Sequence, residues 1–218
     1  MTMKYTIKND ISQSELGTTI SRSELGATVY EEKIKKSLFI GSLKHVTDME
    51  SARVFVTEIS KIYPQANHYC PACILGKNGE TCFCTDDREP SGTAGKPILN
   101  MLVKHELTNV VLVVTRYFGG IELGIRGLIE AYRGVAEKTI LKGKKEPVID
   151  YFDFSCLMSY DFYNIFTHKI QIPEIEIIDT KFMDKIEVIL RVSEFGKDNL
   201  LRVLREMENS QKVLYKGI

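Results

Sequence analysis

Two neighbouring stretches of sequence decide the fold, DDREPSGTAGKP at residues 86–97 and NVVLVVTRYFGG at residues 109–120. The second stretch contains an unbroken apolar run rich in β-branched residues, which is typical of a strand buried on both faces of a sheet. Such a strand brings Arg116 and the Gly119-Gly120 pair to one edge of the sheet. The first stretch has three acids and one arginine, followed by small residues with almost no apolar side chain to bury. We therefore interpret it as either a solvated turn or a binding site.

The composition is that of a globular protein. The chain has 218 residues, of which 44% are hydrophobic and 27% charged, and this length allows one large domain or two small ones. No window approaches the roughly 20 apolar residues of a membrane span. The N-terminus lacks the basic-then-apolar pattern of a secretory signal, so we expect a cytoplasmic protein.

The charges are unevenly distributed along a chain whose formal net charge is zero. Residues 88–145 carry 10 basic and 5 acidic side chains, whereas residues 1–87 and 146–218 have net charges of −1 and −4. The middle segment is therefore a candidate surface for anionic ligands. Uneven lysines on solvated helix faces would give the same pattern.

The N-terminal part contains a short duplication. Residues 12–18 (SQSELGT) recur nine residues later as residues 21–28 (SRSELGAT). Repeat architectures need longer units and at least three copies, so we interpret this as a local duplication in a tolerant surface segment.

The rest of the chain alternates between strand and helix patterns. We predict strands at residues 37–43, 68–75, 81–85 and 110–114, and helices at residues 47–63, 95–102 and 123–141. Lysines, a glycine and a proline at residues 142–147 end the last helix and predict a domain boundary. Residues 151–215 follow the order β-α-β-β-α-β of a ferredoxin-like fold. The predicted class is α+β, with domains at residues 1–144 and 147–218.

Four cysteines lie close together in the sequence: Cys70, Cys73, Cys82 and Cys84. Paired cysteines often bind zinc. Here strand alternation turns Cys70 and Cys73 to opposite faces, and a hairpin at Asn78-Gly79 places Cys73 opposite Cys82. We therefore expect buried thiols without a metal, and no disulfides in the cytoplasm.

The glycine-rich stretches fit neither the phosphate-binding loop of nucleotide hydrolases nor the dinucleotide fingerprint. A loop of small residues that leads into a helix nevertheless presents free backbone amides, which suit a phosphate or a carboxylate. Residues 91–95 form such a loop, to which Lys96 and Arg116 add charge. An ordinary turn is the alternative.

The carboxylates of the first stretch are the candidate catalytic groups. Asp86, Asp87 and Glu89 are suited to hold a divalent ion or to act as a general base. Salt bridges to Arg88 or Arg116 are the interpretation we favour, because alternation along the chain turns Asp86 and Asp87 to opposite sides. His68 shares a strand face with Cys70, but no catalytic triad is assembled by the sequence.

Three stretches resemble the signature of the YigZ/IMPACT family: residues 86–97, residues 113–121 (VVTRYFGGI) and residues 123–132 (LGIRGLIEAY). The resemblance implies a first domain similar to domain IV of translation factor EF-G and a ferredoxin-like second domain similar to domain V of that factor. Eukaryotic relatives regulate translation by competing for an activator of the amino-acid-starvation kinase. Nucleic-acid or ribosome binding is the usual proposal for bacterial members.

The chain departs from the family pattern at three positions. Arg88 and Arg126 stand where the family usually has glycine, and Glu130 stands where it usually has arginine. Arg126 and Glu130 are four residues apart on a predicted helix, so we expect them to form an ion pair.

The sequence therefore predicts a non-catalytic protein that binds RNA, the ribosome or a protein partner in translation, without a cofactor. An enzyme that acts on a phosphorylated small molecule or peptide at the same pocket is the alternative. The predicted binding residues are Asp86, Asp87, Glu89, Ser91, Gly92, Thr93, Gly95, Lys96, Arg116, Tyr117, Phe118, Gly119, Gly120 and Arg126.

Overall fold

The structure is a computed structural model, and it describes residues 3–8 and 25–218. Most of the duplicated segment, residues 12–24, lies outside the described residues. The chain divides into two compact units, Met1–Val148 and Ile149–Ile218, and each combines helices with antiparallel strands, as the predicted α+β class requires. Of the helices described, none is long and apolar enough to cross a membrane.

The first unit is built on a five-stranded antiparallel sheet. Its elements, in chain order, are β1 (Tyr5–Ile7), β2 (Thr28–Ile34), β3 (Ser37–His45), α1 (Met49–Ile62), β4 (His68–Leu75), β5 (Thr81–Cys84), α2 (Gly95–Lys104), β6 (Val110–Tyr117), α3 (Gly124–Lys142) and β7 (Lys145–Pro147). The strand order of the large sheet is β2-β3-β6-β4-β5, and β1 pairs with β7 in a separate ribbon.

The central strand β6 is buried on both faces, which confirms the interpretation of its apolar run. Val110, Leu112 and Val114 pack with α2 and α3 on one face of the sheet. Val111 and Val113 pack with α1 on the other face. The sheet is thus sandwiched between helices, and the polar end of β6 emerges where β3 and β4 flank it.

The β4–β5 hairpin has a register that differs from the predicted one. Cys73 lies opposite Phe83, and Cys82 lies opposite Ile74. The prediction that Cys73 faces Cys82 is wrong because residues 76–80 form a five-residue loop. In that loop the Glu80 carboxylate accepts hydrogen bonds from the backbone and side chain of Asn78. The two clusters that contain Cys70 and Cys73 lie on opposite faces of the sheet, as expected.

The segment that the sequence analysis places between the domains is structured. Residues 145–147 form β7, which pairs antiparallel with β1 so that Thr6 lies opposite Glu146. The first unit therefore closes on itself by joining its two chain ends.

The second unit has the βαββαβ order expected of a ferredoxin-like fold. Its elements are β8 (Tyr151–Met158), α4 (Tyr160–Lys169), β9 (Ile175–Phe182), β10 (Ile186–Ser193), α5 (Lys197–Asn209) and β11 (Val213–Gly217). The sheet order is β11-β8-β10-β9, with all neighbours antiparallel. Phe166 of α4 and Leu204 of α5 pack against β10 in a core of its own.

Candidate functional site

In the loop at residues 86–97, the carboxylate of Asp86 occupies the backbone amides that were predicted to bind an anion. The Asp86 carboxylate accepts hydrogen bonds from the backbone amides of Gly92 (2.8 Å), Ala94 (3.0 Å) and Gly95 (2.8 Å). The amides of Ala94 and Gly95 lie at the start of α2, where a negative charge is favoured by the helix dipole. The predicted anion-binding amides therefore already have an internal acceptor.

This arrangement lowers the pKa of Asp86. Partial burial, the largest single influence, raises the pKa, but the three amides and the charge of Lys96 together outweigh it. The loop can approach the helix only because residue 95 is glycine, since a Cβ there would lie 2.8 Å from the Thr85 carbonyl oxygen. Asp86 is therefore held as a carboxylate that stabilises the loop.

Asp87 also bonds to the backbone. Its Oδ2 accepts a hydrogen bond from the amide of Tyr69 at 2.7 Å, and its Oδ1 lies 3.5 Å from Arg88 Nε. Asp87 and Arg88 both have positive φ values, 40° and 68°, which reverse the chain between β5 and the loop. The predicted ion pair with Arg88 is present.

Arg116 and Glu89 form a buried ion pair. Arg116 Nη1 donates to Glu89 Oε1 at 2.6 Å, and Arg116 as a whole is only 4% exposed. The guanidinium also donates to Ser37 Oγ and lies over the rings of Phe39 and Phe118. The favoured salt-bridge interpretation is confirmed for this pair, so the charge of Arg116 is neutralised within the protein.

Three further polar side chains surround Glu89. The hydroxyl of Tyr132 donates to Glu89 Oε1 at 2.7 Å, and His68 Nε2 lies 3.7 Å from the same oxygen. Cys70 Sγ lies 3.6 Å from the Tyr132 hydroxyl. Burial raises the pKa of Tyr132 above its usual value and that of Cys70 to about 12. Tyrosine and thiol are therefore neutral hydrogen-bonding groups.

The sheet register brings this cluster together. Arg116 on β6 lies directly opposite Phe39 on β3 and opposite His68 on β4. The chain then turns away from the sheet at Gly119 and Gly120. A Cβ at Gly119 would overlap the backbone carbonyl of Lys36, and Gly120 has a φ of +83°. Both glycines therefore shape the turn that follows Phe118.

A cavity of about 420 Å³ opens beside the ion pair. It is lined by Asn67, His68, Glu89, Pro90, Arg116, Phe118, Glu122, Leu123, Gly124, Ile125 and Leu128. Its volume falls in the range of small-molecule sites, and its lining combines apolar side chains with a few polar groups, as such sites usually do. This cavity is the candidate functional site.

Exposed side chains surround the cavity. Phe118 is 45% exposed, and its backbone amide is held by Asn67 Oδ1 at 2.7 Å. Arg88 donates to the Asn67 carbonyl, and Arg126 follows the lining residue Ile125. The side chain of Arg126 is 93% exposed and pairs with Glu130 at 3.1 Å, which confirms the predicted ion pair.

The structure separates the predicted binding residues into groups. Glu89, Arg116 and Phe118 line the cavity, and Arg126 adjoins it. The residues of the self-bound loop are outside the cavity lining: Asp86, Asp87, Ser91, Gly92, Thr93, Gly95 and Lys96. Tyr117 points to the other face of the sheet, where it packs with the α1 cluster and donates to the Pro64 carbonyl. Tyr117 is thus not a stacking surface beside Phe118.

Several lining residues were missed by reasoning from sequence. Asn67 and Glu122 belong to no motif. Tyr132, which lies behind the lining and donates to Glu89, is indistinguishable in the sequence from its neighbours in the apolar stripe of α3. His68 was recognised only as a neighbour of Cys70. Its position opposite Arg116 follows from the β4–β6 register, which the sequence does not specify.

The cysteines do not converge. Burial raises the pKa of Cys73 to about 11 and that of Cys156 to about 12. Within residues 3–8 and 25–218, no group of three or more His, Cys, Asp or Glu side chains has an arrangement suited to a metal ion.

Five of the basic side chains in residues 88–145 form ion pairs with acidic residues in the described part of the chain. Besides the pairs of Arg88, Arg116 and Arg126, Lys104 pairs with Glu137 and Lys138 with Glu32. Exposed ion pairs contribute little free energy and exchange readily for other partners. The exposed arginine and lysine side chains can therefore change partners, whereas the buried Arg116 is neutralised by Glu89.

Comparison with known proteins gives consistent results for this chain. A profile of the Impact N-terminal domain matches residues 35–140. An IMPACT family member from Haemophilus influenzae is 36% identical over 186 residues, which are 84% of this chain and 90% of that protein. The IMPACT family member YigZ from Escherichia coli is 40% identical over 125 residues, which are 55% of this chain and 61% of that protein. A solved structure titled "Crystal structure of an hypothetical protein" is similar over 88% of this chain and 94% of that one, with a TM-score of 0.60 and 26% identity.

Proposed function

The chain belongs to the IMPACT family, and on that premise we propose that it is a non-catalytic protein that acts in translation by binding RNA. The RNA is that of the ribosome or another structured RNA, and it binds at the cavity beside Phe118. The family resemblance implies the translational role. The contacts around the cavity support RNA as the ligand.

The observation that carries the proposal is the exposed ring of Phe118 at the opening of a preformed cavity. Proteins recognise unstacked RNA bases chiefly by stacking them on aromatic rings and bonding to their edges. The guanidinium of Arg116 lies 5.3 Å from the centroid of the Phe118 ring. The backbone amide of Phe118 donates a hydrogen bond to Asn67 Oδ1. The ring is therefore fixed in position while nearly half of it faces solvent.

Two exposed arginines are placed to hold phosphates. Arg88 precedes the lining residue Glu89 and donates to the carbonyl of the lining residue Asn67, and Arg126 follows the lining residue Ile125. Their present partners, Asp87 and Glu130, form ion pairs with exposed guanidiniums, 76% exposed for Arg88 and 93% for Arg126. Such pairs are weak, so a phosphate can replace either carboxylate at small cost.

This proposal moves the ligand from the loop at residues 91–95 to the cavity. A ligand at the loop would have to displace Asp86 from three amides. A buried arginine such as Arg116 cannot grip a phosphate while it neutralises Glu89. Binding in the cavity requires neither the displacement of Asp86 nor the separation of Arg116 from Glu89.

A binding role fits these residues better than the hydrolase or transferase alternative. A general base works best with a pKa near neutral pH, but the pKa of Asp86 is shifted in the opposite direction. Asp87 is bonded to Tyr69, and the thiols of Cys70 and Cys73 are buried and protonated. A turnover screen with magnesium ions tests the alternative, because Asp87→Asn would abolish activity only in an enzyme that uses this carboxylate.

The test is sedimentation of the protein with ribosomes and with total RNA through sucrose gradients at low and moderate salt. We expect salt-dependent co-migration that Phe118→Ala weakens. Phe83→Ala is the matched control, because Phe83 is 46% exposed and lies outside the cavity lining. Replacing Arg88 and Arg126 by glutamine should reduce the logarithmic salt dependence by about 0.7 per arginine.

Two outcomes would contradict the proposal. Protein that stays at the top of every gradient excludes RNA binding and directs attention to peptide partners. Equal losses in Phe118→Ala and Phe83→Ala exclude the cavity as the site.

A further inference from the structure

We infer that the cavity beside Phe118 accepts one unstacked guanine base, which bonds through its N–H edge to Glu89. The inference rests on the proposed RNA-binding function and adds the identity of the base. It follows from the unequal use of the two oxygens of one buried carboxylate.

Glu89 presents one saturated oxygen and one free oxygen. Oε1 accepts from Arg116 Nη1 and the Tyr132 hydroxyl, and it lies 3.7 Å from His68 Nε2. Oε2 makes no hydrogen bond to any residue that the structure describes, although Glu89 is only 8% exposed and lines the cavity. Such an oxygen can accept a hydrogen bond from a ligand that supplies an N–H group without displacing a protein contact.

The ion pair keeps this acceptor available. Arg116 bonds to Oε1 and fixes the carboxylate plane, so Oε2 keeps a constant position. Tyr132 and the T-shaped packing of its ring against Phe39 hold the same carboxylate from inside the core. The Glu89 carboxylate is thus preorganised, so binding of a ligand does not have to order it.

The carboxylates also determine what the cavity excludes. Glu89 and Glu122 both line it and Arg116 compensates only one of these charges, so a phosphate inside the cavity would face a net negative lining. The phosphates therefore stay outside, near Arg88 and Arg126, and the cavity receives an uncharged group. With Pro90, Leu123, Ile125 and Leu128 as its apolar walls, the cavity suits a flat aromatic base.

Among the four RNA bases, guanine matches a carboxylate best. Its N1–H and N2 amino donors are adjacent, whereas adenine and cytosine place an acceptor nitrogen beside the amino group. Uracil places its single N–H between two carbonyl oxygens, which a carboxylate repels.

The experiment measures the affinity of short uridine oligonucleotides that carry one central test base, by fluorescence anisotropy at fixed salt. The test bases are guanine, hypoxanthine, adenine, cytosine and uracil. We expect guanine to bind at least about fivefold more tightly than each of the others, because a paired N–H contact discriminates by that order. Hypoxanthine lacks only the N2 amino group, so its loss of affinity measures that contact without any change to the protein.

Protein variants provide the second arm. Phe118→Ala should weaken binding of all oligonucleotides, with Phe83→Ala as its matched control. Glu89→Gln should abolish the preference for guanine, and circular dichroism shows whether that variant folds. If it does not fold, the comparison of guanine with hypoxanthine still decides the matter.

The outcomes separate this inference from the proposed function. Tight binding with equal affinity for all five bases overturns the guanine pocket and leaves the RNA-binding function standing. No binding to any oligonucleotide or to ribosomes overturns both. Displacement of the guanine oligonucleotide by an arginine-rich peptide but not by guanosine monophosphate would make the cavity a peptide site and overturn the inference.

Discussion

At position 116 the chain buries a guanidinium that, judged from the sequence, looks like a surface cation. Its partner Glu89 is equally buried, and their 2.6 Å contact occupies the centre of a cluster that also includes His68 and Tyr132. Buried ion pairs are expensive to form and costly to break, so their main effect is to fix one arrangement of side chains. Here the arrangement it fixes is the wall of the cavity.

The first prediction concerns removal of one partner of this pair. Arg116→Met should lower the free energy of unfolding by about 3–5 kcal/mol, because it leaves the Glu89 carboxylate buried without its counter-charge. The double variant Glu89→Leu with Arg116→Met should recover part of that loss. Urea denaturation measures both, and strictly additive losses would contradict the coupling.

The second prediction concerns the internal anion of the loop. Asp86→Asn should destabilise the first unit by about 1 kcal/mol at neutral pH, as loss of a charged helix cap does. The folded pKa of Asp86 is lowered from 3.8, so its contribution is fully present above that value and is lost as the pH falls through the lower folded pKa.

The stability difference between the natural protein and Asp86→Asn should therefore shrink in acid. Denaturation curves of both proteins between neutral pH and about pH 2 measure it. A difference that stays constant over this range would show that the charge of Asp86 does not stabilise the loop.

Sequence reasoning predicted some of these residue contacts and missed others. Opposite charges close together in the sequence predicted the pairs of Arg88 and Arg126. The favoured pairing of the loop carboxylates with Arg116 joins residues that are 27 positions apart. The same reasoning treated Asp86 as a possible base and the amides as free. A carboxylate and the amides six to nine residues later meet only when the loop folds back, and no local pattern specifies that path.

At the scale of elements, two glycines, one in the family signature and one beyond it, have distinct physical roles. Gly119 allows the turn after β6 to contact the β2–β3 hairpin, because a Cβ would overlap the Lys36 carbonyl. Gly134 lies within α3 with nothing within 4 Å of its would-be Cβ.

The third prediction contrasts these two positions. Gly119→Ala should destabilise the protein by about 2–3 kcal/mol, since the hairpin backbone must shift. Gly134→Ala should stabilise it by up to about 1 kcal/mol, because alanine is the better helix former. Thermal unfolding followed by circular dichroism measures both, and equal effects of the two substitutions would be inconsistent with this assignment.

Element positions were largely predictable, and their ends were not. The Asn-Gly step at residues 78–79 predicted the hairpin that contains β4, and the apolar run predicted β6 because burial on both faces of the sheet determines that pattern. The helix predicted from Thr47 begins two residues later, at Met49, so Thr47 is not its cap. Asp48 is the cap instead, and it accepts from the Ser51 amide at 2.7 Å. When two adjacent residues can both cap a helix, the path of the preceding chain determines which of them does.

At the scale of the whole molecule, the two units have separate cores. The core of the second unit draws only on residues between Phe154 and Val213. The order of its elements was predictable from the sequence. The expected likeness of the units to domains IV and V of EF-G stays a prediction, because a spacing of helices and strands does not specify a three-dimensional superposition.

The fourth prediction follows from this separation. A fragment of residues 149–218 should fold cooperatively by itself, because it contains a complete four-stranded sheet, two helices and their core. Far-ultraviolet circular dichroism with urea denaturation is the measurement. Leu190→Ala in the fragment should cost about 2–5 kcal/mol. An unfolded fragment would show that the core depends on residues outside it.

The measurement that tests the account most directly is ultraviolet cross-linking of the protein to RNA, with the adducts located by mass spectrometry after trypsin digestion. The account predicts adducts in the peptide of residues 117–126, which contains Phe118, and their loss in Phe118→Ala but not in Phe83→Ala. Adducts located on residues 91–96 of the loop, or in residues 149–218, would contradict it.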